Sequence, residues 1–123
     1  TELRLSNDGG SSFETSNYQR SVQYGGSDGS FGTNRSTSTD RFSILGFTGT
    51  GTPINVYVYL YNLGSSSKSS FISHHSTPSP VYMYFGGQVY TVAETINAIR
   101  VFNNSAGSFT DGSISLYGIK EYS

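Results

Sequence analysis

Apolar and polar residues alternate in short runs along this chain, and a period of two predicts strands. Ile54, Val56, Val58 and Leu60 alternate with Asn55, Tyr57, Tyr59 and Tyr61. One strand therefore carries an aliphatic face, expected in the core, and a tyrosine face, expected half buried with its hydroxyls in water. Glu2-Leu3-Arg4-Leu5-Ser6 alternates in the same way, and Tyr18, Arg20, Val22 and Tyr24 alternate with Gln19, Ser21 and Gln23. Ser30 to Thr39 is apolar only at Phe31 and reads as an extended loop or an exposed edge strand. Phe42, Ile44, Leu45 and Phe47 form a short apolar run, and Ser69 to His75 a weaker strand. Val81-Tyr82-Met83-Tyr84-Phe85 and Gln88-Val89-Tyr90-Thr91-Val92 flank Gly86-Gly87, a pair that permits a hairpin or a bulge in one longer strand. Ile96 to Phe102 and Ser113 to Lys120 read as the closing strands, with Ile114 and Leu116 on one face.

Turn residues separate these runs. Asn7-Asp8-Gly9-Gly10 tolerates positive φ and predicts a tight hairpin turn. Gly25 to Gly29, Thr48 to Pro53 and the Ser-rich 62–68 segment do the same work, and Pro78 and Pro80 stop the strand before them. Apolar residues do not recur at helical spacing beyond one turn's worth at Val92 to Ile96. Short strands with turns every ~8–12 residues predict an all-β fold, an antiparallel β-sandwich, jelly-roll-like, with about eight short strands. Residues 1–123 read as a single domain, and the expected core is Leu3, Leu5, Ile54, Val56, Val58, Leu60, Ile99, Val101, Ile114 and Leu116.

Composition narrows the function classes. Charged residues make up 12% and the net charge is −1, so there is no basic field to hold a nucleic-acid backbone. No apolar run approaches the ~20 residues of a membrane-spanning helix, and membrane insertion is not expected. There is no cysteine, which excludes disulfides and Cys-based zinc sites. Aromatics reach 15%, with ten Tyr and eight Phe that need a core or a binding surface.

Candidate chemistry is sparse. His74 and His75 are adjacent, so a strand sends them to opposite faces and they do not share a metal. Asp8, Asp28 and Asp111 each precede glycine, which marks turns, and no carboxylate pair with glycosidase spacing is evident. The serines have no nucleophile elbow, and the Gly-rich segments lack a phosphate-loop lysine. The chain is therefore expected not to be an enzyme, with no catalytic residues, no metal and no cofactor. Tyrosines can stack on sugar rings and hydrogen-bond their edges, which makes Tyr57, Tyr59, Tyr82 and Tyr84 the candidate saccharide contacts.

Three motifs carry a resemblance. Leu3-Arg4-Leu5-Ser6-Asn7-Asp8-Gly9-Gly10-Ser11-Ser12-Phe13 followed by Asn17-Tyr18, Val56 to Asn62 with its Tyr59-Leu60-Tyr61-Asn62, and Ile96-Asn97-Ala98-Ile99-Arg100 through Leu116-Tyr117-Gly118-Ile119-Lys120 resemble a loosely defined family of tailed-bacteriophage and prophage virion proteins. That family carries β-sandwich domains at tail-fibre tips or on the capsid. The resemblance implies a virion location and a non-enzymatic structural protein exposed on the particle surface, acting in adhesion or assembly. Its implied partners are other virion proteins or copies of itself, and host cell-surface glycan. It supplies no catalytic or ligand residues. A carbohydrate- or receptor-binding module is the first alternative and a polysaccharide-degrading tail-tip enzyme the second. Family members carry one or two strands before the Leu-Arg strand, so the chain is expected to lack N-terminal strands of a longer protein and its Thr1 end to lie beside a sheet. Pro78-Ser79-Pro80 and the Tyr-rich segment after it have no counterpart in the family's pattern.

Overall fold

The computed structural model of the chain describes residues 1–44, 55–78, 81–104, 109 and 111–119, and the side chains of all these except 75–78. Eight strands are present among them: β1 (Glu2–Ser6), β2 (Tyr18–Gly26), β3 (Phe31–Thr39), β4 (Phe42–Ser43), β5 (Asn55–Tyr61), β6 (Lys68–Pro78), β7 (Val81–Ala93) and β8 (Ala98–Phe102). They form two antiparallel sheets, one of three strands in the order β4-β1-β8 and one of five in the order β3-β2-β7-β6-β5. The all-β sandwich expected from the alternation is therefore the fold. β1 pairs with β8 and β2 with β7, the nested first-with-last pairing of a jelly roll, while β5, β6 and β7 run as a meander.

The core lies between the two sheets. Leu3 and Leu5 of β1 are buried as expected, and they meet a group that is mostly aromatic: Tyr18, Phe42, Phe71 and Tyr90, with Ile44 and Ile96. Phe42 stacks on Phe71 at 5.1 Å between centroids, and Tyr18 meets Phe42 edge-on at 4.9 Å. A buried phenol needs a polar partner. The Tyr18 hydroxyl accepts from the Leu5 amide at 3.0 Å and donates to the Glu14 carbonyl at 3.3 Å, while the Tyr90 hydroxyl donates to Glu94 Oε1 at 2.6 Å. Burial pushes the Tyr18 phenol up to about 12.

The predicted core needs three corrections. Val58, Leu60, Ile99 and Val101 pack against the core from partly buried positions, but Val56 is 39% exposed. Val56 faces inward on β5, an edge strand that the shorter three-stranded sheet leaves partly uncovered. Ile114 and Leu116 are 70% and 74% exposed, because residues 113–119 pair with no strand among the described residues. Ile54 lies outside the described residues, as do Leu45 and Phe47 of the Phe42 run and Lys120 of the closing strand.

Other expectations resolve by pairing. Ser30 to Thr39 is an edge strand, and its Ser, Thr and Arg side chains guard that edge against further pairing. Gly86-Gly87 interrupts nothing, since β7 continues through it as one strand of 13 residues. Val92 to Ile96 forms no helical turn; Ile96 simply enters the core. Gly9 and Gly10 take positive φ, 75° and 90°, as the turn chemistry requires. The turn does not join neighbouring strands, however. It leads from β1 in the small sheet toward β2 in the large one. The Thr1 end is held in place, its carbonyl accepting from the Ile44 amide at 3.1 Å.

Candidate functional site

Cross-strand partners share a face, so the register of the five-stranded sheet sorts its side chains. Tyr18 and Tyr90, Val22 and Gly86, and Leu60 and Phe71 are paired and face the core. The residues between them face outward. On that outer face Tyr57, Tyr59 and Tyr61 of β5 stand beside Ile72 and His74 of β6, and then Met83 and Phe85 of β7. The six apolar members of this group are between 43% and 57% exposed.

This face has internal order. Tyr57 and Tyr59 meet edge-on with centroids 5.9 Å apart, and Tyr59 and Tyr61 are tilted at 6.4 Å. The Tyr57 ring also meets the His74 ring edge-on at 5.6 Å, and its hydroxyl lies 2.9 Å from His74 Nδ1 in a hydrogen bond. A row of half-exposed phenols beside an aliphatic strip can bury apolar area against a flat partner while each hydroxyl keeps a polar contact. Exposed large apolar residues taken singly are ordinary, but a contiguous patch marks an interaction surface. Beside it, over Gly87, lies a shallow depression of about 400 Å³ lined by Ser21, Ile72 and Val89 among others.

The four predicted saccharide tyrosines do not form one surface. Tyr57 and Tyr59 are on the outer face. Tyr82 and Tyr84 are on the inner face, paired with Gly26 and Tyr24 of β2. There Tyr24, Tyr82 and Tyr84 make their own cluster, with centroid separations of 5.6 Å for Tyr24 and Tyr84 and 6.1 Å for Tyr24 and Tyr82. Tyr84 is buried, and burial raises its phenol above the ordinary value. The Tyr82 hydroxyl donates to Asp28 Oδ2 at 3.3 Å. The parity is readable in the sequence, since Tyr57 and Tyr59 oppose the aliphatic side of their strand. What the sequence hides is the second strand's orientation, because both parities of Val81 to Phe85 are apolar. Tyr61 was not among the expected contacts although alternation already puts it on the face of Tyr57 and Tyr59. Ile72, His74, Met83 and Phe85 were not expected either, and only the cross-strand register brings these four to Tyr57.

The ionisable groups are engaged elsewhere. Asp40 pairs with Arg4 and Arg41, and Arg41 also lies 3.5 Å from Glu2. Burial pushes the Asp40 carboxyl up, but Arg4 and Arg41 outweigh it and hold it below the usual range. Asp40 and Arg41, with Arg20 and Thr39, line a polar cleft of about 390 Å³ at the end of β2 and β3. Asp8 accepts from Ser6 Oγ, Ser12 N and Ser12 Oγ at 2.8, 2.9 and 2.6 Å, and these bonds, those from Ser12 foremost, bring its carboxyl down to about 2. Asn97 locks the same turn, its Oδ1 accepting from Gly9 N at 2.8 Å and its Nδ2 donating to the Asn7 carbonyl at 3.0 Å. Two of the three motifs thus meet in space, and their polar residues hold a turn. Among the described residues no three His, Asp or Glu side chains gather as a metal-binding group.

Comparison with protein-family models, with curated proteins and with solved structures finds no match.

Proposed function

We propose that the chain is a non-enzymatic structural protein of a phage-type virion, exposed on the particle surface at a tail fibre or on the capsid. It works by assembly, laying the outer face of its five-stranded sheet against another virion protein. The observation that carries this reading is the contiguous apolar face of Tyr57, Tyr59, Tyr61, Ile72, Met83 and Phe85 on a domain that already has a separate core. The three sequence motifs supply the virion setting. The engagement of Asp8, Asp28 and Asp40 in turns and ion pairs supports a structural role over a catalytic one. Glycan adhesion is the second reading, favoured by the row of three half-exposed phenols on β5.

The test uses the double variant Tyr59→Ser/Ile72→Ser, which leaves the core untouched. The wild-type chain should incorporate into, or bind, particles assembled without it, and the variant should lose that binding at unchanged melting temperature. Full binding by the variant would overturn the assembly reading. On a glycan array, saccharide binding by the wild type that is lost with Tyr59→Ser moves the assignment to adhesion. Release of soluble products from host polysaccharide moves it to an enzyme.

A further inference from the structure

The three-stranded sheet has an unfilled edge, and the chain carries a segment that fits it. β1 is the central strand of that sheet. On its β4 side, past the two residues of β4, the Leu5 amide donates to the Tyr18 hydroxyl at 3.0 Å and the Leu5 carbonyl accepts from the Glu14 amide at 2.9 Å. That side is closed. On the other side β8 pairs with β1 over Ala98 to Phe102, and nothing among the described residues pairs with β8 beyond it. Antiparallel ladders alternate, and the Thr1 to Ile44 and Leu5 to Glu14 bonds fix the phase. Ala98, Arg100 and Phe102 turn their peptide groups toward β1, so Ile99 and Val101 present theirs to the open edge.

The side chains repeat the pattern. Ile99 lies opposite Leu5 and Val101 opposite Leu3, so all four point into the sandwich. Leu5 and Leu3 are fully buried, whereas Ile99 and Val101 are only half-buried against the same core. A strand added beside β8 would cover them from the outside. Residues 113–119, Ser-Ile-Ser-Leu-Tyr-Gly-Ile, have strand alternation at Ile114 and Leu116 with serines between, are as long as β5, and pair with no strand among the described residues. Ile114, Leu116, Tyr117 and Ile119 are 70–83% exposed.

We infer that residues 113–119 are a donated strand, which adds to the free edge of β8 in a second copy of this chain. Ile114 and Leu116 then cover Ile99 and Val101, and Ser113 and Ser115 face outward beside Arg100. The donor is a second copy because the segment pairs with no strand of its own chain among the described residues, and exchange of an identical element between copies fills the β8 edge of each in a closed assembly. This inference is independent of the assembly face on the larger sheet.

Analytical ultracentrifugation of the full chain tests it. The wild type should sediment at no less than twice the chain mass, and Leu116→Asp, as well as a chain ending at Gly112, should sediment as folded monomers. Amide exchange at Ile99 and Val101 should be slow in the wild-type oligomer and at least tenfold faster in Leu116→Asp. A monomeric wild type overturns the inference, whether the segment is then unpaired or folded back on its own β8. An oligomer that survives Leu116→Asp with Ile99 and Val101 still protected overturns it too. Tyr59→Ser should leave this oligomer intact. An oligomer dissolved by Tyr59→Ser and not by Leu116→Asp assigns contact to the other sheet and rejects the donated strand alone.

Discussion

Asp8 shows how single residues decide local order. It organises the turn by accepting from Ser6 and Ser12, and Ser6 in turn accepts from the Gly10 amide at 2.9 Å. Its carboxyl sits at about 2 in the fold, against an unfolded value of ~3.9. A lowered folded value stabilises the native state above the unfolded value and is lost as pH falls through the folded one. The stability difference between wild type and Asp8→Asn should therefore be constant above about pH 5 and shrink between about pH 4 and 2. Thermal melts of both proteins across that range measure it, and a difference that stays flat down to pH 2 would reject the assignment. Gly86 is a second decisive residue. It has φ +155°, and a Cβ there would fall 2.5 Å from the Ser21 carbonyl oxygen and 2.7 Å from Val22 Cα. β2 and β7 must move apart to admit a methyl group, so Gly86→Ala should lower stability by about 1–3 kcal/mol in urea denaturation.

Among the elements, β4 is the one least able to stand alone. It has two residues, pairs only with Glu2 and Leu3, and is nonetheless buried. A side chain from the other sheet completes it. Gln88 of β7 donates from Nε2 to the Ser43 carbonyl at 2.7 Å and accepts at Oε1 from the Ser43 amide at 2.9 Å. The amide group stands in for a missing strand and ties the sheets together. Gln88→Leu keeps the volume and leaves two buried peptide groups unpaired, at about 1–3 kcal/mol each. It should destabilise the domain by about 2–4 kcal/mol in chemical denaturation, while Gln88→Glu, which retains an acceptor, should cost differently at low and neutral pH. Phe42→Ala removes the ring stacked on Phe71 and edge-on to Tyr18, and should cost about 3–5 kcal/mol by the same measurement.

At the scale of the whole molecule, one core joins the two sheets, so the domain should unfold in a single transition. Protection should still be graded within it. β7 is flanked on both sides over most of its length, by β2 and β6, whereas β3 and β5 are edges. Hydrogen exchange should be slowest at amides of β2, β6 and β7 and fastest in β3 and β5. Protection of β5 equal to that of β7 in the monomeric Leu116→Asp variant would contradict this order.

Much of the fold was legible because alternation is a local property. Leu3 and Leu5, Val58 and Leu60, and Tyr18 and Val22 declare their faces within their own strands, and Asn7 to Gly10 declares its positive φ by residue type alone. The aromatic centre was less legible. Tyr18, Phe42, Phe71 and Tyr90 are buried by partners far away in sequence, and a tyrosine's exposure depends on whether Leu5, Glu14 or Glu94 reaches its hydroxyl. The candidate surface was half legible: Tyr57 and Tyr59 belong to it, but Tyr82 and Tyr84 left it because register, not composition, assigns a strand's face. Ile114 and Leu116 mark the same boundary from the other side. The sequence by itself determined that residues 113–119 have the pattern of a strand. Only the tertiary structure decided that no sheet among the described residues receives them, because pairing needs a free edge at the right place, and alternation says nothing about where such an edge lies.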